Sequence, residues 1–188
     1  MIAEILYSKL DQDFELDKCN DDWPLDFNEY VCDNFKSRQM GLVLDNSKEI
    51  KKVFTAVFPT NEVIAKVLNE GEDILLVCHH PMVWDKSLVG FPFLNIPKSL
   101  MKKMKDKRIS FYCLHVPLDK NGPYSTSMCL AKTLGIDIKE EFSEYYNVKV
   151  GVIGSLPQTS INAFFKKVRT KAGHDITLLN YGPNKVGK

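Results

Sequence analysis

The middle of the chain alternates two kinds of apolar pattern. From residue 51, KKVFTAVF is rich in β-branched and aromatic residues and predicts a strand that ends at Pro59. Thr60 stands where a helix cap is needed, because its hydroxyl can accept from an orphan backbone N–H. Val63, Ile64, Val67 and Leu68 then share one face at the helical period, and Gly71 supplies a stop. DILLVC, residues 73–78, is a continuous apolar run of strand length, the pattern of a strand buried on both faces. Strand, helix and strand in this order predict a βαβ unit with parallel strands.

The alternation continues. PKSLMKKMKDK (97–107) predicts a basic amphipathic helix, ISFYCLH (109–115) a second buried strand, and STSMCLAKTLG (125–135) a helix stopped by Gly135. VKVGVIG (148–154) reads as a strand and SINAFFKKVRTKAG (160–173) as a helix whose Ile161, Phe164, Phe165 and Val168 share a face. DITLLNY (175–181) reads as a final strand. The fold class predicted is α/β, a βαβ-based sheet with helices on both faces. Residues 11–29 are acidic and carry a Pro; they predict an exposed connection anchored by Trp23 and Phe27. No internal repeat or low-complexity tract is present.

Composition narrows the class further. The 188 residues suit one domain or two closely joined lobes. A net charge of +1 supplies no global field for nucleic acid or a membrane surface. The five cysteines are odd in number and none are spaced as CxxC, which argues against a disulfide framework and for a reducing compartment. The first residues lack the basic, apolar and small-residue order of a signal peptide, and no stretch approaches the roughly 20 apolar residues of a membrane span. The expected location is the cytoplasm.

The chemistry concentrates in CHHPMVWD, residues 78–85. His79 and His80 follow the apolar strand directly, at the end where open α/β sheets place ligands. Adjacent strand residues face opposite sides, so the two rings converge only if Pro81 turns the chain; otherwise each takes a different metal. The second piece is CLHVPLD, residues 113–119, with His115 at the strand end and Asp119 four residues on. Parallel neighbours bring equivalent ends together, so both pieces can meet in one crevice. Neutral imidazole suits zinc, iron or nickel, and a carboxylate admits manganese or magnesium. Two metals sharing such ligands would activate a bridging water for hydrolysis.

Blander roles compete. Cys78 and Cys113 could be thiolate ligands, but small apolar packing in buried strands is the simpler account. Trp84, Phe91 and Phe93 either wall the pocket or pack beneath its loop. The run Lys98, Lys102, Lys103, Lys105 and Lys107 reads as a solvated helix face rather than a phosphate or nucleic-acid site. No GxGxxG, GxxxxGK[ST] or GxSxG motif occurs. His174 has no motif around it and reads as a surface residue.

GLVL, a strand and a helix, HHPMVW, HVPLD and an Ala-Lys-Thr-Leu-Gly helix follow one another here, and VGVIGSLPQTSINAFFKKVR matches a G-x-L-P segment with its helix. In this the chain resembles the NIF-three-like family of dinuclear metal proteins, GTP cyclohydrolase I type 2-like, over about residues 40–188. The resemblance implies that His79 and His80 each ligate a metal and that Asp119 ligates one. It implies that His115 lines the site, where it is the candidate for catalytic proton transfer. The cofactor implied is a divalent metal (zinc, iron or manganese), one or two ions. The assembly implied is a homohexameric ring, a trimer of dimers with the centres facing its cavity. The activity implied is a metal-dependent hydrolase acting on small, nucleotide-like or phosphorylated substrates. The alternative is a non-catalytic metal-binding or scaffolding protein that works through protein partners. The family completes its site with a His and a Glu four residues later, near its C-terminus. Here His174 is followed at the fourth position by Leu178, and the chain ends in NYGPNKVGK where the family begins a further strand. The expected organisation is a metal-site lobe over residues 1–142 and the start of a second lobe over 143–188, which truncation or natural shortening leaves without its C-terminal part.

Overall fold

A computed structural model describes residues 1–23, 26–85, 87–90 and 92–188. The chain forms two compact units, Met1–Leu118 and Asp119–Lys188.

In the first unit the predicted βαβ pattern folds as expected. Strand β1 is Gly41–Leu44, β2 is Lys52–Ala56, β3 is Ile74–Cys78, and β6, after the short β4 (Val83–Trp84) and β5 (Phe93–Leu94), is Ile109–Cys113. The sheet order is β1-β6-β3-β2. β2, β3 and β6 run parallel with Ala56 opposite Cys78 and Cys78 opposite Cys113, so three carboxyl ends finish level. β1 joins β6 antiparallel. The apolar run of β6 is buried at every position, and β3 at all but Val77, which is why neither shows polar alternation.

Helix α3 (Asn61–Asn69) connects β2 to β3, and the Thr60 side chain accepts from the Val63 N–H at 3.2 Å. Ile64 and Val67 are buried in the core, with Val63 and Leu68 packed at its margin. Helix α4 (Lys98–Asp106) buries Met101 and Met104 and turns its lysines outward, where Lys98 pairs with Glu29 at 3.1 Å. β6 stops at Cys113, two residues before the expected end. The HVPLD segment instead forms a short helix, α5 (His115–Asp119), with Leu118 N–H donating to the Leu114 carbonyl at 3.1 Å. Pro117 fits this first turn because no intrahelical donor is needed there.

The N-terminal region is more ordered than its acidity suggests. Helix α1 (Ala3–Asp13) and a 3₁₀ turn at Leu16–Lys18 lead to a segment in which Leu16, Cys19 and Asp21 are buried. Helix α2 (Asp33–Arg38) follows and buries Phe35, on which Phe27 packs edge-on at 5.7 Å. The described part of residues 11–29 is therefore not simply an exposed connection, since Leu16, Cys19 and Asp21 are buried. Tyr112 of β6 donates to Asp11, and Arg38 pairs with Asp11 at 3.2 Å, so some of the acidity is consumed internally.

In the second unit, α6 (Thr126–Thr133) is capped by the Ser125 hydroxyl. A hairpin follows, β7 (Asp137–Tyr145) with β8 (Val148–Ser155). β7 reads DIKEEFSEY; its mostly exposed, charged face hid it from the apolar pattern. The division expected at 142/143 would cut this strand, whose Phe142 pairs with Gly151. Helix α7 (Ile161–Ala172), capped by Ser160, half-buries Ile161, Phe164, Phe165 and Val168 as predicted. DITLLNY does not form a strand. Leu179 and Tyr181 are exposed, and β9 (Thr159–Ser160) pairs instead with β10 (Lys185–Val186). Local strand propensity there finds no neighbouring ladder. Among the described residues, no helix is long and apolar enough to cross a membrane.

Candidate metal centre

The level ends of β3 and β6 set the geometry. His79 and His80 N–H groups donate to the Ala56 and Val57 carbonyls at 3.2 and 3.0 Å, extending the parallel pairing just past β3. Pro81 then interrupts it, having no N–H to give. The two rings do converge: His79 and His80 stack at 4.6 Å between centroids with 19° between planes. From β6, Leu114 N–H donates to the Cys78 carbonyl at 3.0 Å and delivers the chain to His115 at the start of α5. The His115 ring lies 5.0 Å from His79 and 4.8 Å from His80. One ring nitrogen from each of the three histidines falls within 4.8 Å of the others, a spread that one ion could bridge.

Aromatic side chains hold these rings. Phe58 lies parallel to His80 at 4.2 Å and 6°. Phe93 approaches the same ring at 6.1 Å, and Trp84 lies against Phe58 at 5.6 Å. Phe93 thus walls the centre and Trp84 lies one ring further out; Phe91, expected beside them, lies outside the described residues. Beyond Trp84 a cleft of about 480 Å³ is lined by Thr60, Glu62, Asp85 and Leu94 among others.

The N-terminal segment supplies a residue the motifs do not contain. The His115 Nδ1 lies 2.7 Å from Asp21 Oδ2, both side chains being almost wholly buried. The same oxygen accepts from Trp23 Nε1 at 2.8 Å, while Asp21 Oδ1 accepts from the Asp22 N–H at 2.9 Å. Trp23 closes over the histidines, 4.8 Å from His115 and 5.9 Å from His80. Trp23 is the anchor expected, but its target is the centre.

The cysteines take the packing role. Burial pushes the Cys78 thiol up to about 12 and Cys113 well above its ordinary value. Cys113 donates its thiol proton to the His79 carbonyl at 3.1 Å. Both are neutral core groups that fix the strand ends carrying the histidines. Asp119 closes α5 and is the first residue of the second unit, where it accepts from Thr126 at 3.4 Å. The histidine group lies wholly within the first unit, and Asp119 as a ligand rests on the resemblance alone. His174 is exposed, its Nδ1 2.9 Å from the Asp175 carbonyl.

The profile of one family, Duf34/NIF3 (NGG1p interacting factor 3), matches residues 31–188. The chain belongs to the Duf34/NIF3 family. Over 120 residues it is 31% identical to a GTP cyclohydrolase 1 type 2 homolog of Pyrococcus horikoshii, covering 63% of this chain and 46% of that one. A protein of the same name from Archaeoglobus fulgidus is 30% identical over 122 residues, 64% of this chain and 47% of the relative. This NIF3-family chain spans about half the length of the curated relatives it matches. Among solved structures, TTHA1606 from Thermus thermophilus superposes with a TM-score of 0.70 at 21% identity, over 100% of this chain and 68% of that one. The protein ybgI, of unknown function, gives 0.73 at 17% identity, over 100% and 67%. These likenesses establish the NIF3 fold. Asp21 and Trp23 precede the segment matched to the family profile.

Proposed function

We propose that this NIF3-family chain binds a divalent metal at His79, His80 and His115 and acts as a metal-dependent hydrolase on small, nucleotide-like or phosphorylated substrates. The observation that carries the reading is the convergence of three histidine nitrogens within 4.8 Å at level strand ends. The donor set suits zinc, iron or another borderline ion, since each ligand is an imidazole. When bound, such an ion acts as a Lewis acid and makes water a better nucleophile near neutral pH. The chain's own residues prepare the place. Phe58 and Phe93 hold the His80 ring, Asp21 holds that of His115, and Trp23 limits solvent. The substrate class follows the naming of the curated relatives. Assembly as a hexameric ring follows the resemblance, and light scattering of the purified chain tests it.

A second reading is metal binding without turnover, with action through protein partners.

The experiment is elemental analysis of the chain purified without chelator, beside the His79→Ala/His80→Ala double variant, followed by a screen of phosphoesters and nucleotides. One or two equivalents of metal, lost in the variant, together with turnover lost in His80→Ala, support the hydrolase. Metal without turnover supports the second reading. A parent that takes up no zinc, manganese or iron defeats both.

A further inference from the structure

Asp21 has no role in the pattern that identified the centre. It sits outside the family-matched segment, is buried, and spends its side chain on three donors, one of them the His115 ring. A carboxylate that already accepts from a backbone N–H and an indole N–H is fixed in direction. It therefore holds His115 in the tautomer with the proton on Nδ1, which makes Nε2 the ring nitrogen that carries the lone pair. We infer that Asp21 makes His115 a metal ligand through Nε2, beside His79 and His80, with Asp21 as the outer carboxylate of that histidine. The inference rests on the metal-binding reading above and gives His115 a ligating role in place of proton transfer.

Three features bear on it together. The carboxylate–imidazole contact is 2.7 Å with both partners shielded from water, so solvent does not compete for it. Trp23 lies 4.8 Å from the His115 ring at 61° and blocks its rotation out of the centre. The three rings sit at 4.6, 4.8 and 5.0 Å centroid separations, so no one histidine stands apart from the other two. An outer carboxylate on a ligating histidine fixes its orientation and raises its basicity, and losing one costs metal affinity about 10–100-fold. Three neutral nitrogens also set the metal class: cobalt, zinc, nickel and ferrous iron over magnesium. Asp21 is a positioning residue in this scheme, acting through His115.

The test titrates the metal-free full chain with Co²⁺ and follows its visible absorption. Parent, Asp21→Asn, His115→Ala and the His79→Ala/His80→Ala double variant are compared. Asn can still accept from both rings through its carbonyl but carries no charge. The expected result is one tightly bound Co²⁺ in the parent, displaced by Zn²⁺ and indifferent to excess Mg²⁺. Affinity should fall about 10–100-fold in Asp21→Asn, with a changed absorption band, and further in His115→Ala. A second measurement needs no variant. In the histidine-¹⁵N-labelled parent, Zn²⁺ should shift the His115 Nε2 resonance while Nδ1 keeps its proton.

Co²⁺ bound with parent affinity and spectrum by Asp21→Asn and His115→Ala, but lost in the double variant, overturns this inference and leaves the metal-binding reading standing. A His115 Nε2 resonance that ignores Zn²⁺ while His79 and His80 respond overturns it equally. A parent that binds no Co²⁺ ends both.

Discussion

Phe58 lies flat against His80, 4.2 Å away and 6° from parallel, while His79 stacks on the same ring at 4.6 Å. The orientation of His80 is thus set by packing before any ion arrives. A stacked aromatic pair contributes about 0.5–1.5 kcal/mol. Phe58→Ala should therefore weaken metal binding about 2–10-fold without abolishing it, measured by competition against a metal-indicator dye. His80→Ala in the same assay should lose far more.

Burial makes the two strand-end cysteines chemically quiet. With its thiol pushed up to about 12, Cys78 stays protonated throughout the neutral range, and Cys113 is pushed up as well. Thiolate is the species that reacts with alkylating agents. Iodoacetamide on the native chain should label exposed Cys129 well before Cys78 or Cys113, as peptide mass spectrometry will show. Cys78→Ala should keep the parent's metal content; loss of metal in a folded Cys78→Ala chain would return the thiol to the ligand set.

Asp73 shapes the acid stability of the first unit. Side-chain hydrogen bonds from Arg108, at 2.6 Å, and Lys51, also at 2.6 Å, hold its carboxyl well below the usual 3.8. Because folding lowers this value, the stabilisation is fully present above pH 3.8 and is lost as the pH falls from there towards the folded value. Asp73→Asn should melt at a lower temperature than the parent at pH 7. The gap should narrow below about pH 4 in a calorimetric series.

The core beneath the site sets how firmly the histidines are presented. Leu76 is fully buried in β3, two residues before Cys78. Leu76→Ala should cost about 2–5 kcal/mol of stability by urea denaturation, the range for a large-to-small change in a close-packed core. The βαβ framework should survive, because neighbouring positions of β3 and β6 remain apolar.

Much of the framework was legible in the sequence because its burial is continuous or periodic. β3 and β6 are nearly all apolar, α3 repeats at the helical period, and Thr60 caps as its position suggests. Elements whose stability comes from elsewhere were harder to see. β7 holds by pairing with β8 rather than by an apolar face, and the 175–181 stretch has strand propensity but no ladder. At the site, HHP and HxPLD located the three histidines, and Pro81 suggested the turn that lets the first two converge. Asp21 left no local signal. Its partner is 94 residues away, and an acidic stretch normally reads as a solvated surface.

That long reach ties two distant parts of the chain into one equilibrium. The contact that orients His115 is also a clamp on the segment around residue 21, so whatever favours the docked ring favours the docked segment. Reciprocity is obligatory in such a pair. An ion that prefers the clamped arrangement must, to the same extent, suppress peeling of the N-terminal stretch. Cleavage of residues 11–29 by a protease would then report on occupancy of a centre with which that stretch shares no ligand.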